Sequence, residues 1–345
     1  MHIQLMLGET LVTPRVRFFE PLNLMKEIYG VSYEVLEDRE RVPIRNDDMR
    51  FLIRARMWHL DPNVGVNMPK VLFEKGYLLL HELDDHPENW LGYTAIKGLD
   101  FLGSHYVTTS TEAMRDALLE YTPNVKVFEN QIARLLPPRD FKPKDEVRVF
   151  FGALNRGDSW ADIMPVINEF AEEYGEKLQF TVISDINFFK QLNTKHKEFI
   201  GSGQLAPLDA YMKAMEKCDI ALLPLLDKKI NRCKSDLKFI ECANAGLVSI
   251  ASPVVYEKTV KDGETGLIYK NPQEFREKFG AMLKFPEKRV KIAKNAYEYV
   301  KRERLLSQHI NERYDWMNEI YQKREELHRD LLKRLDTFID KYAVK

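Results

Sequence analysis

Short apolar runs alternate with stretches of helical spacing along the first 130 residues, the pattern of an open parallel sheet wrapped by helices. Residues 3–7 read as a strand, a loop with Gly8 follows, residues 18–28 have helical spacing and residues 33–36 form a second strand. Residues 77–83, Tyr-Leu-Leu-Leu-His-Glu-Leu, form a strongly apolar strand that ends in Asp84-Asp85-His86-Pro87. Residues 106–109 run into Ser110-Thr111-Glu112, an N-cap that opens a helix over 113–121, and residues 125–128 close the unit. The alternation then stops: residues 135–144 hold Pro137, Pro138 and Pro143 among mixed charges, the composition of a linker.

It restarts with a strand at 147–151, a loop over 152–158, a helix over 160–174 and a strand at 179–183. A helix over 208–217, a strand over 219–224, a short helix capped by Ser235 and stopped by Gly246, and a buried parallel strand at 248–251 complete a second unit. After Pro286 apolar residues recur at helical spacing (Tyr314, Met317, Ile320, Tyr321, then Leu327, Leu331, Leu335, Phe338, Ile339) within a Lys-, Arg- and Glu-rich background. The expected fold class is α/β: two Rossmann-like domains, at 1–143 and 144–304, facing across a cleft, with a C-terminal helical extension at 305–345.

Composition narrows the function classes. A chain of 345 residues with 44% hydrophobic and 30% charged residues can bury two cores, and a formal net charge of -1 gives no global attraction to nucleic acid. No run approaches the roughly 18 apolar residues of a membrane span, and the chain opens on a strand, so a cytoplasmic protein is expected. Cys218, Cys233 and Cys242 form no C-x-x-C pair; small apolar burial is expected of Cys233, and no metal or disulfide is implied. No Gly-x-Gly-x-x-Gly follows a strand and no Walker A motif occurs, against dinucleotide and P-loop chemistry.

The chemistry concentrates in residues 234–252. Lys238 and Glu241, three apart, share a helix face near a positive dipole end. That face can hold a diphosphate with its ammonium and amides while Glu241 accepts hydrogen bonds from a sugar diol. The plainer alternative is an i,i+3 surface salt bridge.

At these residues the chain resembles the retaining glycosyltransferases of family 4, a GT-B group of surface-polysaccharide type, whose donor motif reads roughly Pro-Leu-Lys-x-x-Glu-Tyr-x-Ala-x-Gly-x-Pro-Val. Asp236-Leu237-Lys238 through Glu241 to Gly246-Leu247-Val248 matches it, and Asp262-Gly263-Glu264-Thr265-Gly266 looks like the family's Asp-Gly-x-x-Gly turn. The resemblance implies that Glu241 binds the ribose and Lys238 the diphosphate. It departs from the pattern at Cys233, where many members carry the first Glu of an E-x7-E pair; Lys234-Ser235 beside it resembles a Lys-Ser variant of such enzymes.

Further candidates lie at strand ends. Gly152, Asn155 and Arg156 follow the first strand of the second domain and are expected on the donor phosphates, the alternative being a polar turn. Asp84, Asp85 and His86 follow a buried strand, where open parallel sheets bind ligands; Asp85 and His86 are candidate acceptor-side catalysts, against a capped turn at His86-Pro87. Arg15 and Arg17, in a run that resembles the acceptor-domain entry of surface-glycan transferases, are candidates for an anionic acceptor or the diphosphate, the equal alternative being solvated charges at a helix end. Base recognition is expected from main-chain groups at 205–208.

The resemblance implies a glycosyltransferase that takes a nucleoside diphosphate sugar as donor and a glycan, lipid-linked or protein hydroxyl as acceptor, with no cofactor or metal. Two rivals stand beside it: a nucleotide-sugar epimerase, and an inactive GT-B-like binding or scaffolding module. The C-terminal helices are expected to pack on the body or on a second copy, the sharper alternative being peripheral contact with the inner face of a membrane.

Overall fold

The computed structural model describes residues 1–8, 14–37, 41–58, 61–153, 156–201 and 207–342. The chain folds as two units, one formed by Met1–Ala133, Cys233–Ser235 and Leu306–Lys345, the other by Arg134–Arg232 and Asp236–Leu305.

Unit 1 carries six strands, β1 His2–Leu7, β2 Ser32–Val35, β3 Arg50–Ala55, β4 Tyr77–Glu82, β5 Tyr106–Thr109 and β6 Val125–Val127. They lie in the order β2-β1-β3-β4-β5-β6, and every pair is parallel. A parallel sheet is covered on both faces, so its strands are apolar on both sides. Leu78 and Leu80 of β4 join Ile3, Leu5, Phe51 and Ile53 on one face, while Tyr77 and Leu79 join Met6, Leu52 and Leu72 on the other. The first face is closed by Leu22 and Met25 of the helix Glu20–Tyr29 and by Ile310, Met317, Ile320 and Tyr321 of the helix Leu306–Gln322.

β3 is absent from the sequence reading because Arg50 and Arg54 interrupt its apolar run. Arg54 is fully buried, and its guanidinium meets the equally buried Asp100 at 2.5 Å. Such a charge survives burial only when paired.

Unit 2 carries β7 Val147–Gly152, β8 Leu178–Ile183, β9 Lys197–Ile200, β10 Ile220–Leu223, β11 Val248–Ala251 and β12 Leu267–Ile268. Their order, β12-β11-β10-β7-β8-β9, is all parallel and doubly wound, and the direction of winding reverses between β7 and β10. The core unites Val149, Phe151, Phe180, Val182, Ile220, Leu222 and Ile250 with Phe275, Phe279 and Met282 of the helix Pro272–Lys284. The proline-rich stretch packs on this unit: the Leu136 amide donates to Asn244 Oδ1 at 3.0 Å, and Tyr297 donates to the Leu136 carbonyl at 2.7 Å.

The last helix, Arg324–Tyr342, buries Leu331, Leu335 and Phe338 against Val66, Ile96 and Leu99 of unit 1. Its apolar stripe is thus used within the chain. No helix among the described residues is long and apolar enough to cross a membrane.

Candidate functional site

The helix Leu237–Asn244 follows β10, so its amino end lies at the carboxyl edge of the unit 2 sheet. Its N-cap position is Asp236, not the expected Ser235. The Asp236 carboxylate is pinned by Arg304 at 2.6 and 3.0 Å and by the Thr259 hydroxyl at 2.8 Å, which fixes where the helix starts. Ser235 belongs to unit 1, where its hydroxyl accepts from Asn130 Nδ2 at 2.8 Å. At the other end Gly246 adopts φ +75° and the Leu247 amide returns to the Cys242 carbonyl at 3.0 Å, a left-handed stop that directs the chain into β11.

Lys238 reaches across to the end of β7 and donates to the Gly152 carbonyl at 2.6 Å. The ammonium also sits 5.4 Å from the centre of the Tyr211 ring. Glu241 is only 7% exposed, and its Oε2 lies 3.5 Å from the Tyr211 hydroxyl. That burial removes the surface-salt-bridge alternative for the Lys238 and Glu241 pair. Burial, then Glu241, push the Tyr211 phenol well above its ordinary range, so it keeps its proton and donates.

Arg156 hydrogen-bonds to Tyr256, whose phenol is raised by burial against the pull of the guanidinium. Arg156 Nη1 is buried with no hydrogen-bond partner among the described residues, and Ser252 Oγ at the end of β11 is in the same state. An unmet buried donor costs about 1–3 kcal/mol, so native proteins keep few of them. Gly152, Lys238 and Glu241 gather around Tyr211 at the edge where the winding reverses between β7 and β10, the ligand position of a doubly wound sheet, while Arg156 follows β7 and meets Tyr256. Tyr211, Tyr256 and Ser252 complete this edge, and the sequence reading missed all three. Ser252, just after the apolar run of β11, carried the one signal that a strand-end rule would have caught.

The remaining candidates fall elsewhere. Asn155 and residues 205–206 of the base-recognition stretch lie outside the described residues. Lys234 is in unit 1, 3.6 Å from Asp85 Oδ1, an oxygen that also accepts from Asn89 at 2.9 Å. Asp84 is gripped by Arg56 through Nε at 3.1 Å and Nη2 at 2.7 Å. His86 caps the 3-10 turn Pro87–Asn89, its Nδ1 accepting from the Glu88 amide at 3.2 Å, so the capped-turn alternative describes it.

Arg17 lies in an internal network. It is 1% exposed and donates to Glu82 at 2.7 Å, to Asn130 at 3.0 Å, to the Thr109 carbonyl at 2.7 Å and to the Phe128 carbonyl. A guanidinium that spends its donors in these four bonds ties strand ends together. Arg15 pairs with Glu20 at 2.6 Å. Cys233 is buried as a small apolar residue beside Leu83, Tyr93 and Met114. The Asp262–Gly266 turn is structural: Gly263 has φ +77°, and Asp262 accepts from the Ile268 amide at 2.9 Å and Lys278 at 2.7 Å.

Comparison with known proteins bears on the fold. HepE of Anabaena, in complex with UDP and glucose, superposes with a TM-score of 0.63 at 12% identity over 92% of this chain and 99% of its own. The pneumococcal O-GlcNAc transferase GtfA, in complex with UDP and GlcNAc, gives 0.57 at 14% identity over 79% of this chain and 57% of its own. TarM of S. aureus, in complex with fondaparinux, alpha-GlcNAc-glycerol and UDP, gives 0.57 at 12% identity over 79% and 56%. No curated protein sequence matches. The fold is GT-B, and residues 167–316, which include Lys238 and Glu241, match the glycosyl transferase-like family.

Proposed function

We propose that the protein is a metal-independent, retaining glycosyltransferase of the cytoplasm, which moves a sugar from a nucleoside diphosphate sugar to an acceptor hydroxyl in bacterial surface-glycan synthesis. The observation that carries this reading is that Lys238 and Glu241 meet around Tyr211 at the point where the winding of the unit 2 sheet reverses, with Arg156 following β7 at the same edge. Lys238 and Arg156 neutralise the diphosphate, and Glu241 takes the ribose diol. HepE, GtfA and TarM are each described with UDP, which favours UDP as the nucleotide.

In the transfer step the acceptor oxygen bonds to the anomeric carbon as the bond from that carbon to the diphosphate oxygen breaks. Attack comes from the same face, and the acceptor proton passes to the departing diphosphate. Charge grows on that diphosphate, so the two cations act more strongly in the transition state than in the ground state.

Calorimetry with UDP, GDP and dTDP tests the site. Binding to one of them, lost in Lys238→Ala and Glu241→Ala, is expected; no binding by the wild-type chain refutes the reading. Mass spectrometry with nucleotide sugars and lipid-linked, protein or glycan acceptors then reads transfer, which is expected to survive EDTA. Donor turnover without acceptor would instead favour the epimerase, and binding without turnover the inactive module.

A further inference from the structure

Tyr211 lies in the first turn of the helix Leu208–Glu216, its amide donating to the Pro207 carbonyl at 3.0 Å. Three of the four residues gathered at the unit 2 edge touch it. Its hydroxyl faces Glu241 Oε2 at 3.5 Å, and Lys238 Nζ stands 5.4 Å from its ring centre. At Gly152 even a methyl group would come within 2.9 Å of the ring. Phe150 packs edge-on at 5.5 Å and fixes the ring plane.

We propose that Tyr211 is a positioning residue that orients the Glu241 carboxylate toward a vicinal diol, so that the site selects ribonucleoside over 2′-deoxyribonucleoside diphosphates. This rests on the nucleotide-site reading above and narrows its donors to UDP- or GDP-type sugars. A carboxylate offers about four lone-pair directions and turns freely about its last bond unless something holds it. The phenol takes one direction on Oε2, and the buried helix face sets the plane of the rest. A ligand that lacks one of the paired hydroxyls makes one fewer charge-assisted hydrogen bond to the buried carboxylate, which lowers affinity by about 10- to 100-fold. The ring also holds the Lys238 ammonium over its π face, so one side chain keeps the ribose and phosphate contacts in register.

The test is calorimetry on the full chain with UDP, 2′-deoxy-UDP, GDP and 2′-deoxy-GDP, for the wild type, Tyr211→Phe, Glu241→Gln and the double variant. Expected is a wild-type preference for the ribonucleotide of about 10-fold or more. Tyr211→Phe should lower that preference about 3- to 10-fold with the deoxy ligand's affinity unchanged, and should add nothing in the Glu241→Gln background. Equal weakening of both ligands, or an unchanged preference, assigns Tyr211 a purely structural role and overturns the proposal. A wild type that binds both ligands equally overturns only this inference, whereas one that binds no nucleotide overturns the site reading as well. Glu241→Gln alone checks the same selectivity without altering Tyr211.

Discussion

Arg17 at the carboxyl edge of the unit 1 sheet and Arg156 at that of the unit 2 sheet are alike in chemistry and sit in opposite settings. In unit 1 the charges are consumed internally: Arg17 by Glu82, Asn130 and two carbonyls, Arg56 by Asp84, and Asp85 by Asn89 and Lys234. In unit 2 Arg156 Nη1 and Ser252 Oγ are left buried without partners among the described residues. A group that meets its own needs contributes to folding, whereas one left unmet is stabilised when a ligand arrives. The same guanidinium chemistry that looks alike in sequence thus makes a strut at Arg17 and a candidate ligand contact at Arg156.

The contrast is broken most directly at Arg17. Arg17→Leu leaves Glu82 charged and buried and should cost unit 1 about 3–5 kcal/mol. Urea unfolding followed by tryptophan fluorescence reads it, since Trp58, Trp90 and Trp316 lie in unit 1 and Trp160 in unit 2. A loss below about 1 kcal/mol would show that the network is not a strut.

Lys238→Ala and Arg156→Ala should do the reverse. Each should weaken nucleoside diphosphate binding by about 10- to 100-fold, equivalent to roughly 1.4–2.8 kcal/mol. Thermal stability should stay within about 1 kcal/mol, since in Arg156→Ala the unmet donor disappears while Tyr256 loses a hydrogen-bond partner. A large stability loss with intact binding would place Arg156 with the struts.

Acid sharpens the comparison by falling on unit 1. His105 is buried at the start of β5, its Nδ1 accepting from the Leu79 amide and its Nε2 3.2 Å from His328 Nδ1. Burial, then His328, lower its folded pKa from 6.5 to about 3. The unfolded chain takes up a proton below about pH 6.5 that the folded chain refuses. The contribution of neutral His105 is therefore complete above that pH and lost as the pH falls toward 3, on the order of 2 kcal/mol by pH 5. His105→Gln should flatten the stability profile between pH 7 and 5, and an unchanged slope would contradict this origin.

The smallest effect is expected at Ser252→Ala: a stability change within about 1 kcal/mol, directed upward, and nucleotide binding weakened by about 2- to 5-fold. Unchanged binding would remove Ser252 from the site.

The fold was legible where strands are apolar on both faces. β1, β4, β5, β7 and β11 stand out as hydrophobic runs. β3 did not, because its buried Arg54 looks like a surface residue until Asp100 is brought beside it. Lys238 and Glu241 were readable from local spacing, and the model of a helix ending at Gly246 held to the residue. The helix start did not, since Arg304, 68 positions from Asp236, sets it. Tyr211 carries no local signal at all: it matters only because folding brings it to Glu241, 30 positions away.

The helix Leu306–Gln322 closes the hydrophobic face of a sheet whose first strand begins at His2. Translation therefore delivers the two ends of unit 1 far apart in time, while all of unit 2 emerges between them. On the ribosome the later-starting half has every residue of its core before the earlier one does, and the amino-terminal sheet must wait, its greasy side uncovered, for the final helices. A cut placed after Ala133 would yield an insoluble fragment rather than a domain.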